Sequence, residues 1–310
     1  MSDKRFITID PASEPLREVH NLLLSGVSPR PIALVSTISP EGVDNLAPFS
    51  FYNAFGANPP YVAFSPAYSG KDGSAKDTLI NLEKTPECVI HAVPYHLVEQ
   101  VNLASTDYGP EESEFIKAGF DTLNSELVKP KRVKASPFHM ECMVERIIAL
   151  GGTNGSGNLV LCRVVKFHVA AEIMSEGRVH PETLDLTGRN GLNYYTRASG
   201  SALFTVDKPT GQGMGIDQLP AHFRTSSILT GNDLGKLGSS PALPTSEETR
   251  QYLLEVPANL QKTSFFKRYE QGDMIRDNDM NQASELIHMA AHEALSEGET
   301  TFAMHILMTL

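Results

Sequence analysis

Residues Arg30–Phe55 read RPIALVSTISPEGVDNLAPFSFYNAF, and this stretch decides the fold. Two apolar runs rich in β-branched and aromatic residues, Ile32–Ile38 and Leu46–Phe55, flank a Pro40-Glu41-Gly42 turn, which is the pattern of a β-hairpin. The second run is unusual because Asn45, Ser50 and Asn53 interrupt it or border it. Burying amides and hydroxyls costs free energy unless something hydrogen-bonds to them. A bound polar ligand is one such partner.

Upstream, the sequence predicts a short strand at Arg5–Ile9 and an amphipathic helix over Pro15–Leu24 that closes at Gly26. Downstream, Pro59-Pro60 breaks the chain before a strand at Tyr61–Ser65, and a Ser/Gly/Lys-rich loop runs to Ser74. Lys76-Asp77-Thr78 then opens a helix that stops by Pro86. A strand at Glu87–Val93 enters a helix at His96–Ala104, and Thr106–Val133 is a charged excursion with a short helix near Glu112–Ala118. Phe138–Leu150 and Leu159–Val169 are the longest strands, by their Val, Ile and Phe content. The glycine-rich Gly151–Asn158 between them has strands on both sides. A nucleotide-binding glycine fingerprint needs a helix after it, so this segment reads as a hairpin tip. His180–Tyr195, HPETLDLTGRNGLNYY, either lies across a ligand or closes the domain.

Beyond Lys208 the composition shifts. Thr210–Gly215 is linker-like and Gly231–Pro244 reads as a loop. Helices are expected at Glu247–Val256, Thr263–Gln271, Met280–Ser296 and Thr300–Leu310, separated by Pro257, Gly272 and Gly298. The expected organisation is therefore a main domain over residues 1–208 and a helical extension over 209–310, small enough to need a docking surface. His288 and His292 are four apart, with Glu285 beside them, which is a spacing able to hold a divalent ion. The apolar stripe of that helix (Met280, Ala283, Ile287, Ala290, Ala291, Ala294) places the histidines on the solvated side instead, and no metal is expected. His91, His139 and His168 read as isolated strand residues.

Bulk composition excludes several classes. Net charge is -11 with scattered Lys and Arg, so no basic stripe exists to neutralise a nucleic-acid backbone. No stretch approaches the roughly 18 apolar residues of a membrane helix, and the N-terminus lacks a leader pattern, so a cytoplasmic protein is expected. Cys88, Cys142 and Cys162 are odd in number and lie in apolar runs, which fits reduced core thiols. No G-x-S-x-G elbow supports acyl transfer.

The chemistry-bearing residues fall in three groups. The hairpin supplies Ser36 and Thr37 on one run and Asn45, Ser50 and Asn53 on the next. The loop-to-helix joint supplies Ser74, Lys76, Asp77 and Thr78, where free N–H groups and a positive dipole end suit a phosphate. Arg30 adds a planar cation. The runs Arg30–Thr37 and Asn45–Asn53, followed by Lys76-Asp77-Thr78, resemble the flavin reductase-like FMN-binding split-barrel family, which includes flavoredoxin-like proteins. Glu114-Phe115 with Ala118-Gly119, Ser136-Pro137 with Glu141-Cys142, and Gly177-Arg178-Val179 before Asn193-Tyr194 extend the likeness from about residue 20 to residue 205.

That resemblance implies a mainly β fold: a six-stranded antiparallel Greek-key split barrel with short helices, forming a homodimer with FMN near the subunit interface. It places Arg30, Pro31, Ser36, Asn45, Leu46, Ala47, Ser50, Phe51 and Asn53 along the flavin and Lys76, Asp77 and Thr78 at its phosphate. It implies an NAD(P)H-dependent flavin oxidoreductase, with NADH or NADPH stacking near Asn193 and Tyr194 and electrons leaving to oxygen, a metal complex or a partner oxygenase. Hydride transfer between stacked rings needs position more than acid or base. Two other readings fit the same residues: an FMN-holding electron-transfer protein, and a flavin-binding interaction protein whose tail blocks the nicotinamide site. Two departures stand out. His91 occupies a position where a small polar residue is expected, and the helical tail exceeds the typical family length.

Overall fold

The Arg30–Phe55 stretch forms its expected hairpin and then departs from it. In the computed structural model, which describes residues 6–206, 208 and 211–310, helix α1 (Leu16–Gly26) precedes strand β1 (Arg30–Pro31) and β2 (Ala33–Ile38). Strand β2 pairs antiparallel with β3 (Asp44–Phe49), Ala33 opposite Phe49 and Ile38 opposite Asp44. The second run is not one strand. It breaks at Ser50-Phe51 and resumes as β4 (Tyr52–Ala57), which pairs with β5 (Pro60–Phe64). The strand expected at Arg5–Ile9 does not form over Phe6–Ile9, where Phe6 and Ile7 are exposed; Arg5 lies outside the described residues.

The chain continues through α2 (Asp77–Lys84), β6 (Glu87–His91), α3 (Val98–Leu103) and α4 (Glu114–Lys117). Strands β7 (Phe138–Ala149) and β8 (Asn158–Val169) then form a hairpin around the glycine-rich tip. One antiparallel sheet of seven strands results, in the order β3-β2-β6-β7-β8-β5-β4. This corrects the expected six-stranded barrel: splitting Leu46–Phe55 adds a strand, and no ladder joins β3 to β4, so the barrel is not closed. A backbone spans at most about 3.6 Å per residue, so the three steps from Phe49 to Tyr52 hold the two sheet edges within about 11 Å. The sheet must curl until its edges nearly meet. Accordingly, Phe49 of one edge packs on Phe64 beside the other, with ring centroids 5.3 Å apart.

Alternation along β2 sorts the core into two layers. Ala33 and Val35 face the sheet interior with Phe64, Ile90, Cys142 and Cys162, whereas Ile32 and Leu34 pack outward against Leu97, Val101 and Phe115. The three cysteines are free and buried, with Cys88 Sγ 3.9 Å from Cys162 Sγ. Hydrogen bonding to Cys88, then burial, pushes the Cys162 thiol well up, which keeps it a packing group. The histidines are not isolated: His91 lies opposite His139, and His139 opposite His168, across three adjacent strands. A smaller sheet places β1 against β9 (Thr187–Arg189), with Arg30 opposite Arg189, and β9 against β10 (Tyr195–Arg197).

The chain divides into two compact units, Met1–Phe204 and Thr205–Leu310. In the second, helices α5 (Gly231–Gly238), α6 (Ser246–Leu254), α7 (Ser264–Ile275), α8 (Met280–Ser296) and α9 (Thr300–Leu307) surround Phe223, Phe265, Ile287 and Phe302. Helix α5 corrects the loop expected at Gly231–Pro244. A capping box, in which Thr230 and Asp233 bond each other's backbone N–H, starts it despite three glycines. Gly238 permits a close approach, since a Cβ there would sit 3.0 Å from the Gly215 backbone. The linker-like Thr210–Gly215 is described only from Gly211 onward. His288 is not on a solvated face: α8 packs between α7 and α9, so its buried arc is wider than the apolar stripe and His288 is only 7% exposed. His292 pairs with Asp233 at 2.8 Å, tying α8 to α5. Among the described residues, no helix is long and apolar enough to cross a membrane.

The side chain of His91 joins three elements. Its Nδ1 donates to the Leu34 carbonyl at 2.8 Å and its Nε2 accepts from the Val133 N–H at 2.9 Å, which fixes the neutral tautomer. Burial, and then His139, push the imidazole from 6.5 down to about 3. The unfolded chain takes up this proton below its ordinary pKa while the folded chain refuses it. The stabilisation is therefore complete above about pH 6.5 and declines as pH falls towards 3. In an NMR titration, the His91 ring stays neutral at pH 5; titration at the ordinary value would contradict this assignment.

Candidate functional site

The two-residue link between the sheet edges opens into a cavity of about 510 Å³. Pro48, Phe49, Ser50 and Phe51 form one wall, the Ser65–Lys71 loop supplies Ser65, Tyr68, Ser69 and Lys71, and Arg30, Lys76, Asp107 and Arg189 complete it. His20 of α1 lines it too, its ring 6.3 Å from Phe51 in an edge-on arrangement.

Arg30 is 4% exposed, and four hydrogen bonds tie its guanidinium to protein. Nη1 donates to the Leu24 and Val27 carbonyls at 2.6 and 2.7 Å, Nε to Ser50 Oγ at 3.2 Å, and Nη2 to the Asn190 carbonyl at 3.2 Å. The guanidinium brackets the end of α1, the edge link and the turn after β9. Burial, then the neighbouring Arg189 charge, lower its pKa. The other cations lining the cavity are Lys71, Lys76 and Arg189. Lys76 precedes α2, and no side chain caps that helix; the Lys76 carbonyl accepts from Leu79 N and Ile80 N at 2.9 and 3.2 Å. The Lys76 ammonium pairs with Asp107 at 2.7 Å. Burial raises the Asp77 pKa, Asp107 adds to the rise, and Lys76 opposes it.

The other expected site residues lie elsewhere. Ser36 is fully buried and donates to the Lys131 carbonyl at 2.6 Å. Asn45 donates from its one amide nitrogen to Thr37 and Thr78 hydroxyls, both at 3.0 Å, and Asn81 reaches the same Thr37 at 3.1 Å. This buried network fastens the first turn of α2 to the hairpin, so the polar oddity of the strand at Asn45 is satisfied by protein. Leu46 is buried, its N–H donating to the Glu114 carboxylate at 2.9 Å, and Ala47 is half-buried between it and the cavity wall. Asn53 is exposed on β4 and accepts from the Ala54 N–H at 2.8 Å. Pro31 is exposed in β1 opposite Gly188.

A second cavity of about 510 Å³ is lined by Tyr95, Glu99, Asn102, Arg189, Asn193, Tyr195 and Arg197. A pocket of about 160 Å³ lined by Ser50, Arg189 and Tyr195 lies between it and the first. Arg189 lines all three, its guanidinium 4.6 Å from the Tyr195 ring centroid. Arg197 lies 4.2 Å over Tyr95 while chelating Asp185 at 2.7 and 2.8 Å. Asn193 lines the second cavity, and Tyr194 is 70% exposed outside it. Sequence reasoning missed Arg189. The local signal was Asn190-Gly191, a turn pair that marks the β9–β10 hairpin and so puts Arg189 across from Tyr195, whereas its place opposite Arg30 comes from the long-range β1–β9 ladder.

With this geometry in place, the comparisons are decisive. The pattern of the flavin reductase like domain matches residues 25–201. The chain belongs to the flavin reductase-like family. An uncharacterized protein of Halalkalibacterium halodurans is 38% identical over 204 residues, covering 65% of this chain and 96% of that one. Nitrilotriacetate monooxygenase component B from Bacillus cereus superposes with TM-score 0.62 at 34% identity, over 66% of this chain and 100% of its own. The 2-nitrobenzoate 2-nitroreductase of Pseudomonas fluorescens does so with TM-score 0.58 at 27% identity, again over 66% and 100%. The family match ends before Thr205–Leu310 begins.

Replacing Arg30 with Met removes four hydrogen bonds, three to the carbonyls of Leu24, Val27 and Asn190 and one to the Ser50 hydroxyl. Losing charge-assisted bonds of this kind costs about 2–4 kcal/mol. Urea unfolding of Arg30→Met should show that loss, together with faster proteolysis near α1; an unchanged midpoint would contradict the bracket role.

Proposed function

We propose that the first unit binds FMN and acts as an NAD(P)H:flavin oxidoreductase. The observation that carries this reading is the cavity at the split between the sheet edges, cationic at the α2 end and walled by Pro48–Phe51, in a chain of the flavin reductase-like family. FMN, when bound, accepts a hydride from the nicotinamide ring and passes its electrons on.

The residues present fit that group. Ser50 and Phe51, with the backbone of Ala47 and Pro48, form the wall for the flavin ring. Lys76, Lys71 and the uncapped first turn of α2 at Asp77 and Thr78 meet the phosphate dianion. Behind them the Asn45 and Thr78 side chains tie the hairpin to the helix start, Ser36 is held by the Lys131 carbonyl and Arg30 braces Ser50, while Pro31, Leu46 and Asn53 frame the wall at its two ends. The second cavity suits the nicotinamide nucleotide, with Tyr195 and Tyr95 as flat surfaces, Asn193 as an amide partner and Tyr194 at the rim. Arg189 stands between the two ligands.

Two further features support the partners expected for such an enzyme. Helix α1 buries none of its own residues and exposes Leu16, Leu22 and Leu23, and edge strand β4 exposes Phe55. A second copy of the chain would cover these apolar surfaces, giving a homodimer. The likeness to a monooxygenase component B supports a partner oxygenase as the electron acceptor.

Titration of flavin-free protein tests the site. Lys76→Ala should weaken FMN about tenfold and leave riboflavin nearly unchanged, because only FMN carries the dianion. Equal losses would contradict the phosphate role. Anaerobic mixing of the FMN complex with NADH or NADPH should bleach the flavin absorbance within seconds. Flavin that stays oxidised with both donors would contradict the reductase and favour an electron-transfer protein.

A further inference from the structure

We propose that Asp107 sets how tightly this site holds a flavin phosphate, acting as a built-in competitor that keeps FMN exchangeable. The inference rests on the flavin reading above and names a specificity residue that neither the family likeness nor the motif order supplies. Among the described residues lining the first cavity, Asp107 is the only carboxylate. It pairs with Lys76 at 2.7 Å, and Lys76 is the cation at the start of α2. Arg30 offers no substitute, because its guanidinium is held by Leu24, Val27, Ser50 and Asn190.

A phosphate entering this end of the cavity must therefore take Lys76 from Asp107. The carboxylate is 83% exposed and Lys76 40% exposed, so the pair is well hydrated and loosely held. Exposed pairs of this kind shift an equilibrium only a few-fold. Asp107 then tunes the affinity rather than blocking the site. On departure of the phosphate the carboxylate returns to Lys76, which stabilises the flavin-free site and so weakens binding. That property suits a reductase whose reduced flavin passes to a second protein. Riboflavin, lacking the phosphate, has no need to displace Asp107.

The test compares dissociation constants for FMN and riboflavin in the full-length wild-type chain, Asp107→Asn, Lys76→Ala and the double variant. Asparagine keeps the size of the side chain and removes its charge. The proposal expects Asp107→Asn to bind FMN about three- to fivefold more tightly, the change expected for releasing one exposed pair, with riboflavin unchanged. In the Lys76→Ala background the same substitution should be silent, because the group competed for is gone. FMN affinity that is unchanged or weaker in Asp107→Asn overturns the proposal, as does an equal gain with riboflavin or with Lys76 removed. Wild-type protein that binds neither flavin overturns the underlying site reading itself, whereas normal binding of both flavins with a silent Asp107→Asn overturns the competitor alone.

Discussion

Phe49 ends one edge of the main sheet and Tyr52 begins the other, with only Ser50 and Phe51 between them. This short connection shapes both the main sheet and the wall of the first cavity. It forces a seven-stranded sheet to curl without letting its edges pair, and the link itself forms one wall of the cavity. A longer link would let the sheet flatten, and direct pairing of β3 with β4 would close the gap. Arg30 secures the link by bonding Ser50 with the same guanidinium that holds the end of α1.

The polar residues near that link divide into two kinds. Those facing the sheet interior or the outer core are satisfied by protein: Ser36 by the Lys131 carbonyl, Asn45 by Thr37 and Thr78, and His91 by Leu34 and Val133. Asn45 ties the hairpin to the start of α2, while Ser36 and His91 tie it to the Lys131–Val133 segment. Those left in the cavity, Lys71, Lys76 and Arg189, are cations on or near its rim. In the proposed function this second set meets the ligand and the first set positions it.

Much of this was legible in the sequence. The hairpin turn at Pro40-Glu41-Gly42, the helix opening at Asp77, the long β7–β8 pair and the hairpin nature of the glycine-rich tip follow from local pattern, which governs strands joined by short turns. The split of Leu46–Phe55 was not legible, because the aromatic residues Phe49, Phe51, Tyr52 and Phe55 recur on both sides of the break and only tertiary pairing assigns Tyr52–Ala57 to β5. The burial of Asn45 was equally hidden: an amide bonded to Thr78 looks, in one dimension, like an amide awaiting a ligand. Helix α5 was obscured by Gly231, Gly235 and Gly238, whose low helix propensity is outweighed by the Thr230–Asp233 capping box and by packing of Leu237. The single-stripe reading of α8 failed at His288 because helices flank it on more than one side.

The central claim is spatial: the gap at Ser50-Phe51 and the start of α2 hold the two ends of one FMN molecule. A crystal structure of the full-length chain with FMN tests this most directly. The account predicts the flavin ring against Pro48–Phe51 and the phosphate within hydrogen-bonding distance of the Lys76 ammonium. A flavin seated elsewhere in the chain, or one whose phosphate points away from Lys76, would contradict it.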